Sequence, residues 1–162
     1  MAYKIGSSGG GGGGGHTVYV NFTSAQTFHA SGDSNPVIFD TAVLDPNSEY
    51  NNTTGYFTAA ADGVYNFSGM IGIDGSSLVL PTIMGIDIWL DDGALLFTNY
   101  NKNLAGLSLS TFYLSFSFNY PLFANDTIVV FLSLTASGGT ADTLPAVAAT
   151  TAGAFMSISK CG

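Results

Sequence analysis

The chain has 162 residues, 46 % of them hydrophobic and only 9 % charged, with three basic residues against eleven acidic ones and a net charge of −8. That is about one domain's worth of chain, carrying far less charge than the roughly one quarter typical of soluble domains. Such a chain repels a phosphate backbone, and it has no run of about 18 apolar residues to cross a membrane, so neither a nucleic acid partner nor a membrane span is expected.

Residues 1–15 read as a tail, in which MAYKIGSS leads into seven consecutive glycines without the period of collagen. No apolar segment follows Lys4, so no secretory signal is expected. Tyr3 and Ile5 are the tail's candidate anchor to a larger protein assembly. Residues 16–162 are expected to form one domain built from strand after strand, with no helix.

Residues 17–23 (TVYVNFT) are β-rich. In residues 62–73, Tyr65, Phe67, Ile71 and Ile73 share one face, and Val64, Asn66, Ser68 and Met70 the other. Residues 84–90 direct Met84, Ile86, Ile88 and Leu90 inward, with Asp87, Trp89 and Asp91 outward. Asp92-Gly93 then predicts a hairpin turn, since both residues tolerate positive φ. The clearest alternation is residues 111–120 (TFYLSFSFNY), which put Phe112, Leu114, Phe116, Phe118 and Tyr120 on one face. Tyr113, Ser115, Ser117 and Asn119 lie on the other, and Pro121 fits a strand end or edge. Residues 128–134 form a nearly continuous apolar strand. Residues 136–151, rich in Gly, Ala and Thr, read as a long surface loop, and residues 154–159 as a closing strand. Seven to ten short strands with turns between them imply a sandwich, jelly roll or barrel.

Catalytic patterns are absent. The sequence has no HExxH, GxSxG or Cys-x-x-Cys, and the GxGxxG match inside the glycine run has neither a strand before it nor a helix after it. His16 and His29 lack partners, and His29 reads as a loop residue. Asp87, Asp91 and Asp92 gather around one hairpin, where oxygen ligands would suit calcium. No calcium-loop spacing is present, and no cofactor or metal is expected. Trp89, flanked by Asp87 and Asp91, is the candidate binding residue, because an exposed Trp beside carboxylates can stack on a sugar or anchor a protein. Cys161 is the only cysteine and reads as a surface thiol or a cross-chain link. Five glycosylation sequons, at Asn21, Asn51, Asn52, Asn66 and Asn125, are discounted as chance in a chain rich in Asn, Ser and Thr.

Residues 39–67 carry an ordered series: Phe39, Asp45 six residues on, Tyr50 five on, Phe57 seven on, and then Gly63, Tyr65 and Phe67. This series resembles the signature of complement-1q-like globular heads, with one departure at Gly69, where the family places an aromatic. Residues 88–95, 122–132 and 153–158 resemble that family's later strands in the expected order. The resemblance implies a ten-stranded, all-β jelly-roll sandwich of the complement-1q and tumour-necrosis-factor type, which assembles as a homotrimer through one sheet. On that basis Asn66, Ser68, Met70, Tyr113, Ser115, Ser117, Asn119 and Phe155 are candidates for the trimer interface. The expected function is non-enzymatic: a structural or adhesive component of a virion, such as a fibre, spike or capsid decoration that meets a host-surface glycan or protein. The alternative is a secreted or cell-surface head that recognises sugar, protein or lipid.

Overall fold

The computed structural model describes residues 17–31, 36–79, 83–91, 93–102, 111–144 and 154–161, without the side chains of 30, 31 and 100–102. Ten strands occur among them: β1 (Thr17–Asn21), β2 (Thr27–Ser31), β3 (Thr41–Leu44), β4 (Tyr56–Thr58) and β5 (Gly63–Asp74). The rest are β6 (Ile83–Leu90), β7 (Ala94–Lys102), β8 (Thr111–Leu122), β9 (Thr127–Thr143) and β10 (Phe155–Lys160). The described residues contain no helix, and all strand pairs are antiparallel.

Hydrogen bonding divides the strands into two faces of one continuous sheet. The first runs β3-β1-β10-β5-β8, and the second has β4 and β6 on either side of β9, with β7 outside β6. The long strand β9 joins them. Its first half pairs with β4 and β6, while its second half pairs with β2 and meets the end of β5 at Ile73 and Asp74.

The space between the faces is filled by aromatic rings. Phe57 on β4 meets Tyr65 and Phe67 on β5 edge-on, with centroids 5.6 and 6.0 Å apart. Phe118 on β8 lies stacked between Phe67 and Phe97 at 5.1 and 5.3 Å. Such contacts add about 0.5–1.5 kcal/mol each beyond simple burial. The jelly roll that the resemblance implies is the observed fold. Its core holds Phe39, Tyr50, Phe57, Tyr65 and Phe67, all buried.

Several local expectations are corrected. Residues 136–143 are the second half of β9, not loop; Ala141 and Thr143 are buried there, so packing overrides a weak strand composition. The rest of the expected loop, from residue 145, lies outside the described residues apart from its flank at Ala154. His29 stands exposed on β2 opposite Thr140 rather than in a loop. Gly63 is the first residue of β5, and a Cβ there would run into the Lys160 side chain. Strands β2, β3 and β4 were not expected, being only three to five residues long.

Gly139 explains how β9 can pass under another segment. Its φ is +93°, and a Cβ would collide with the Ser77 carbonyl, while Val79 and Gly138 bridge the same crossing. Gly139→Ala should destabilise the fold by more than about 2 kcal/mol, read as a lower urea midpoint. An unchanged midpoint would mean that the crossing contributes nothing to stability.

Candidate functional site

Twelve consecutive residue pairs lock β5 to β8, from Gly63 opposite Leu122 to Asp74 opposite Thr111. Because strand side chains alternate, this register places every interface candidate on β5 and β8 on one surface. β10 extends it: Phe155 lies opposite Met70 and Ser157 opposite Ser68. β1 then adds Tyr19 opposite Ser157 and Asn21 opposite Phe155. The result is a row Tyr19–Ser157–Ser68–Ser117, flanked by Asn21–Phe155–Met70–Ser115 and Thr17–Ser159–Asn66–Asn119.

This surface is uncharged across those three rows. It has two chemistries. Tyr19 stacks on Phe155 with centroids 5.9 Å apart, giving an aromatic side. The β5–β8 side is hydroxyl- and amide-rich, and Asn66 donates to the Asn119 Oδ1 at 2.8 Å. Tyr19 is absent from the sequence-based candidates; the pairing of residues 17–23 with the closing strand is the signal that locates it. Gly69 lies in the same ladder, facing inward, and the Phe116 ring from β8 occupies the space its Cβ would need. The aromatic that the family signature places at this position is thus supplied from the neighbouring strand.

The candidate trio Asp87, Trp89 and Asp91 is arranged differently from the expectation of an exposed Trp between free carboxylates. Asp87 is only 9 % exposed and accepts a hydrogen bond from the Thr98 hydroxyl at 2.7 Å. Asp91 has a left-handed backbone, with φ 49°, and its Oδ1 accepts the amide and hydroxyl of Thr127 at 2.8 and 3.0 Å. Trp89 is half-buried at a register shift, between Leu95 on β7 and Val129 on β9. Tyr56 lies beyond Val129, so an aromatic and apolar row crosses the outside of the second face. Val129, in the middle of that row, is itself buried and stands apart from the core cluster.

Most of the acidic residues hold turns. The carboxylate of Asp40 accepts the amides of Thr23 and Ser24, and Asp45 those of Glu49 and Tyr50. Glu49 accepts from Ala60, Asp62 from Ala124, Asp74 from Ser76 and Asp126 from Phe123. Asp142, opposite Asp74, instead has its Oδ1 buried without a donor among the described residues. No group of three or more His, Cys, Asp or Glu suited to a metal ion occurs among the described residues. Nor do they contain a helix long and apolar enough to cross a membrane. Tyr3, Ile5 and Asp92 lie outside the described residues, and Cys161 is exposed and free at the end of β10.

Burial pushes the Asp40 carboxyl up, but the Thr23 and Ser24 amides and the Thr23 and Thr41 hydroxyls together hold it below its usual range. The amide and hydroxyl of Ser76 hold Asp74 low as well. A depressed carboxyl stabilises the fold above its unfolded pKa of about 3.9, and that contribution disappears as pH falls through the lower folded value. Stability should therefore fall below about pH 4. A double variant, Asp40→Ala with Asp74→Ala, should show a shallower fall when melting temperature is followed from pH 6 to 2. An identical pH profile would show that these two latches contribute nothing.

Among the described residues the arrangement offers a wide uncharged surface on one face and a separate aromatic and apolar row on the other. The sequence model of the C1q domain matches residues 19–86, the stretch that carries the aromatic series. Among curated proteins, none matches the sequence. Murine APRIL is similar in structure, with a TM-score of 0.62 and 13 % identity over 91 % of this chain and 100 % of that one. So is Eiger TNF from S. frugiperda, with a TM-score of 0.59 and 17 % identity over 91 % and 93 % of the two chains. The globular domain of zebrafish complement 1qA protein superposes with a TM-score of 0.52 and 18 % identity over 82 % and 98 %. Strand order, the buried aromatic series and these likenesses agree on the fold: the chain is a jelly roll similar to the C1q- and TNF-type heads, and the C1q-domain match itself spans residues 19–86.

Proposed function

We propose that this protein is a non-enzymatic structural or adhesive subunit that assembles as a homotrimer through the outer surface of β1, β10, β5 and β8, as a component of a virion. The observation that carries the reading is the register of that surface. Four strands align uncharged side chains in continuous rows, on a chain whose net charge of −8 would otherwise oppose self-association. A closed three-fold contact is heterologous, so one part of the surface meets a different part of the next copy. The aromatic pair Tyr19 and Phe155 and the hydroxyl-rich strip of Ser115, Ser117 and Asn119 are two such parts. Thr17 and Ser159 are paired neighbours, which brings both ends of the domain to one pole and suits a head mounted by its base. A fibre tip, spike or capsid decoration has this geometry.

A recognition head on a cell surface or in the extracellular space is the second reading. The half-buried Trp89 and the exposed Leu95 favour it, because they lie on the opposite sheet, away from the surface proposed for the trimer. Aromatic side chains of this kind anchor sugar rings or protein partners. Trp89→Ala should then abolish attachment to target cells while leaving the trimer mass unchanged, and undiminished attachment would rule this row out.

The main reading is tested by mass in solution. Light scattering should give three times the chain mass for the native protein. Ser117→Glu, which places a carboxylate in the middle row, should reduce it to a single chain mass with the circular-dichroism spectrum retained. A native monomer, or a Ser117→Glu protein that stays trimeric, overturns the proposed interface.

A further inference from the structure

Phe123 is the most exposed large hydrophobic side chain among the described residues, at 73 %. A lone exposed ring would need no explanation, but this one has apolar neighbours. Pro121, two residues earlier, is exposed opposite Val64, itself 44 % exposed, on the outward side of the β5–β8 ladder. Leu122 between them is buried, so the core takes one side chain here and leaves the others outside. Val64, Pro121 and Phe123 thus gather at the pole where β1 and β5 begin and β10 ends.

The turn that carries Phe123 is held at each of its amides. Phe123 donates to the Asp126 Oδ2 at 2.8 Å, and Ala124 to the Asp62 Oδ1 at 2.7 Å. Asn125 donates to the Ala59 carbonyl at 2.8 Å, and Asp126 to the Phe123 carbonyl at 3.1 Å. Ala59 donates in return to the Asp126 carbonyl at 2.9 Å, which ties the turn to the segment before β5. A turn fixed in this way loses little freedom when its ring is seated in a partner. Aromatic anchors of this kind supply much of the binding energy of an interface.

Charge around the patch decides the occupant. Asp62 and Asp126 hold the turn at the surface, and Asp91 accepts from Thr127, the residue after Asp126. Among the described residues the cation at this pole is Lys160, whose side chain lies over Gly63. A second copy would bring carboxylates against carboxylates, and an anionic membrane surface would repel them as well. A protein surface with lysine or arginine around an apolar recess complements both the ring and its rim.

We propose that Phe123, with Val64 and Pro121 beside it, seats this head in a partner protein through an apolar recess rimmed by lysine or arginine. The inference rests on the proposed function only in taking this pole as the base of the head. It needs neither a virion nor the trimer.

A display library of random disulfide-cyclised peptides, panned against the full chain, Phe123→Ser and Val64→Ser, tests it, with circular dichroism confirming that each chain is folded. Peptides enriched on the native chain should carry apolar residues flanked by Lys or Arg. They should bind Phe123→Ser roughly tenfold more weakly, with Val64→Ser shifted in the same direction. Raising the salt from about 50 to about 500 mM should weaken them as well. No enrichment, equal binding to all three chains, or an enriched set without cations overturns the proposal. Phosphatidylcholine vesicles are the second probe, and sedimentation with them that Phe123→Ser abolishes would make the patch a lipid anchor instead. Light scattering on the same samples reports the trimer separately. A mass that falls in Phe123→Ser would assign the patch to self-association and overturn the proposal, whereas a native monomer that keeps the peptides would count against the trimer alone.

Discussion

The pairing of β5 with β8 is the constraint on which the rest depends. Twelve residue pairs in one unbroken register fix two surfaces at once. Tyr65, Phe67 and Ile71 are committed to the core together with Leu114 and Phe116, and the intervening Asn, Ser and Met side chains are committed to the outside. A slip of one residue would exchange the two sets, burying amides and hydroxyls and exposing rings. The penalty for that exchange is several buried side chains at about 1.5–3 kcal/mol each, which is why the register is unique. β10 and β1 inherit it through their own ladders, so one strand pair organises the surface proposed for assembly.

Charge has an unusual distribution in this fold. With few cations available, the carboxylates pair with backbone amides at turns, an arrangement that needs no lysine or arginine. Asp45 shows the economy of it: one side chain accepts two consecutive amides and so shapes the bend that delivers Tyr50 to the core. Tyr50 in turn accepts the Phe39 amide at 2.9 Å, and burial pushes its phenol well above the ordinary range. The aromatic series is therefore linked by turns as well as by packing. Its acidic member acts on the backbone rather than on any ligand.

Much of this was readable from residue order. The alternation in β5 and β8 gave both faces correctly because each strand has a wet side and a dry side. β6 was harder, since Gly85 and Asp87 are buried on the side expected to face water. Alternation reports only the contrast between two faces, and there the contrast is lost under Trp89 and its neighbours. The second half of β9 was missed for another reason. Gly139 looks like loop, yet it is required where Ser77 crosses, a long-range contact that no local pattern encodes. The short strands β2, β3 and β4 owe their form to partners far along the chain.

Thr17 and Ser159 face each other across a single ladder rung, about 5 Å apart at the backbone. The domain can consequently be treated as a closed loop of chain with an arbitrary starting point. A few residues would suffice to join its ends, and the exposed β8–β9 turn around Phe123 could supply new ones, since circular permutants succeed at such sites. The same proximity lets the whole module be inserted into a surface loop of another protein without prying the host apart. A head with this design is portable between carriers.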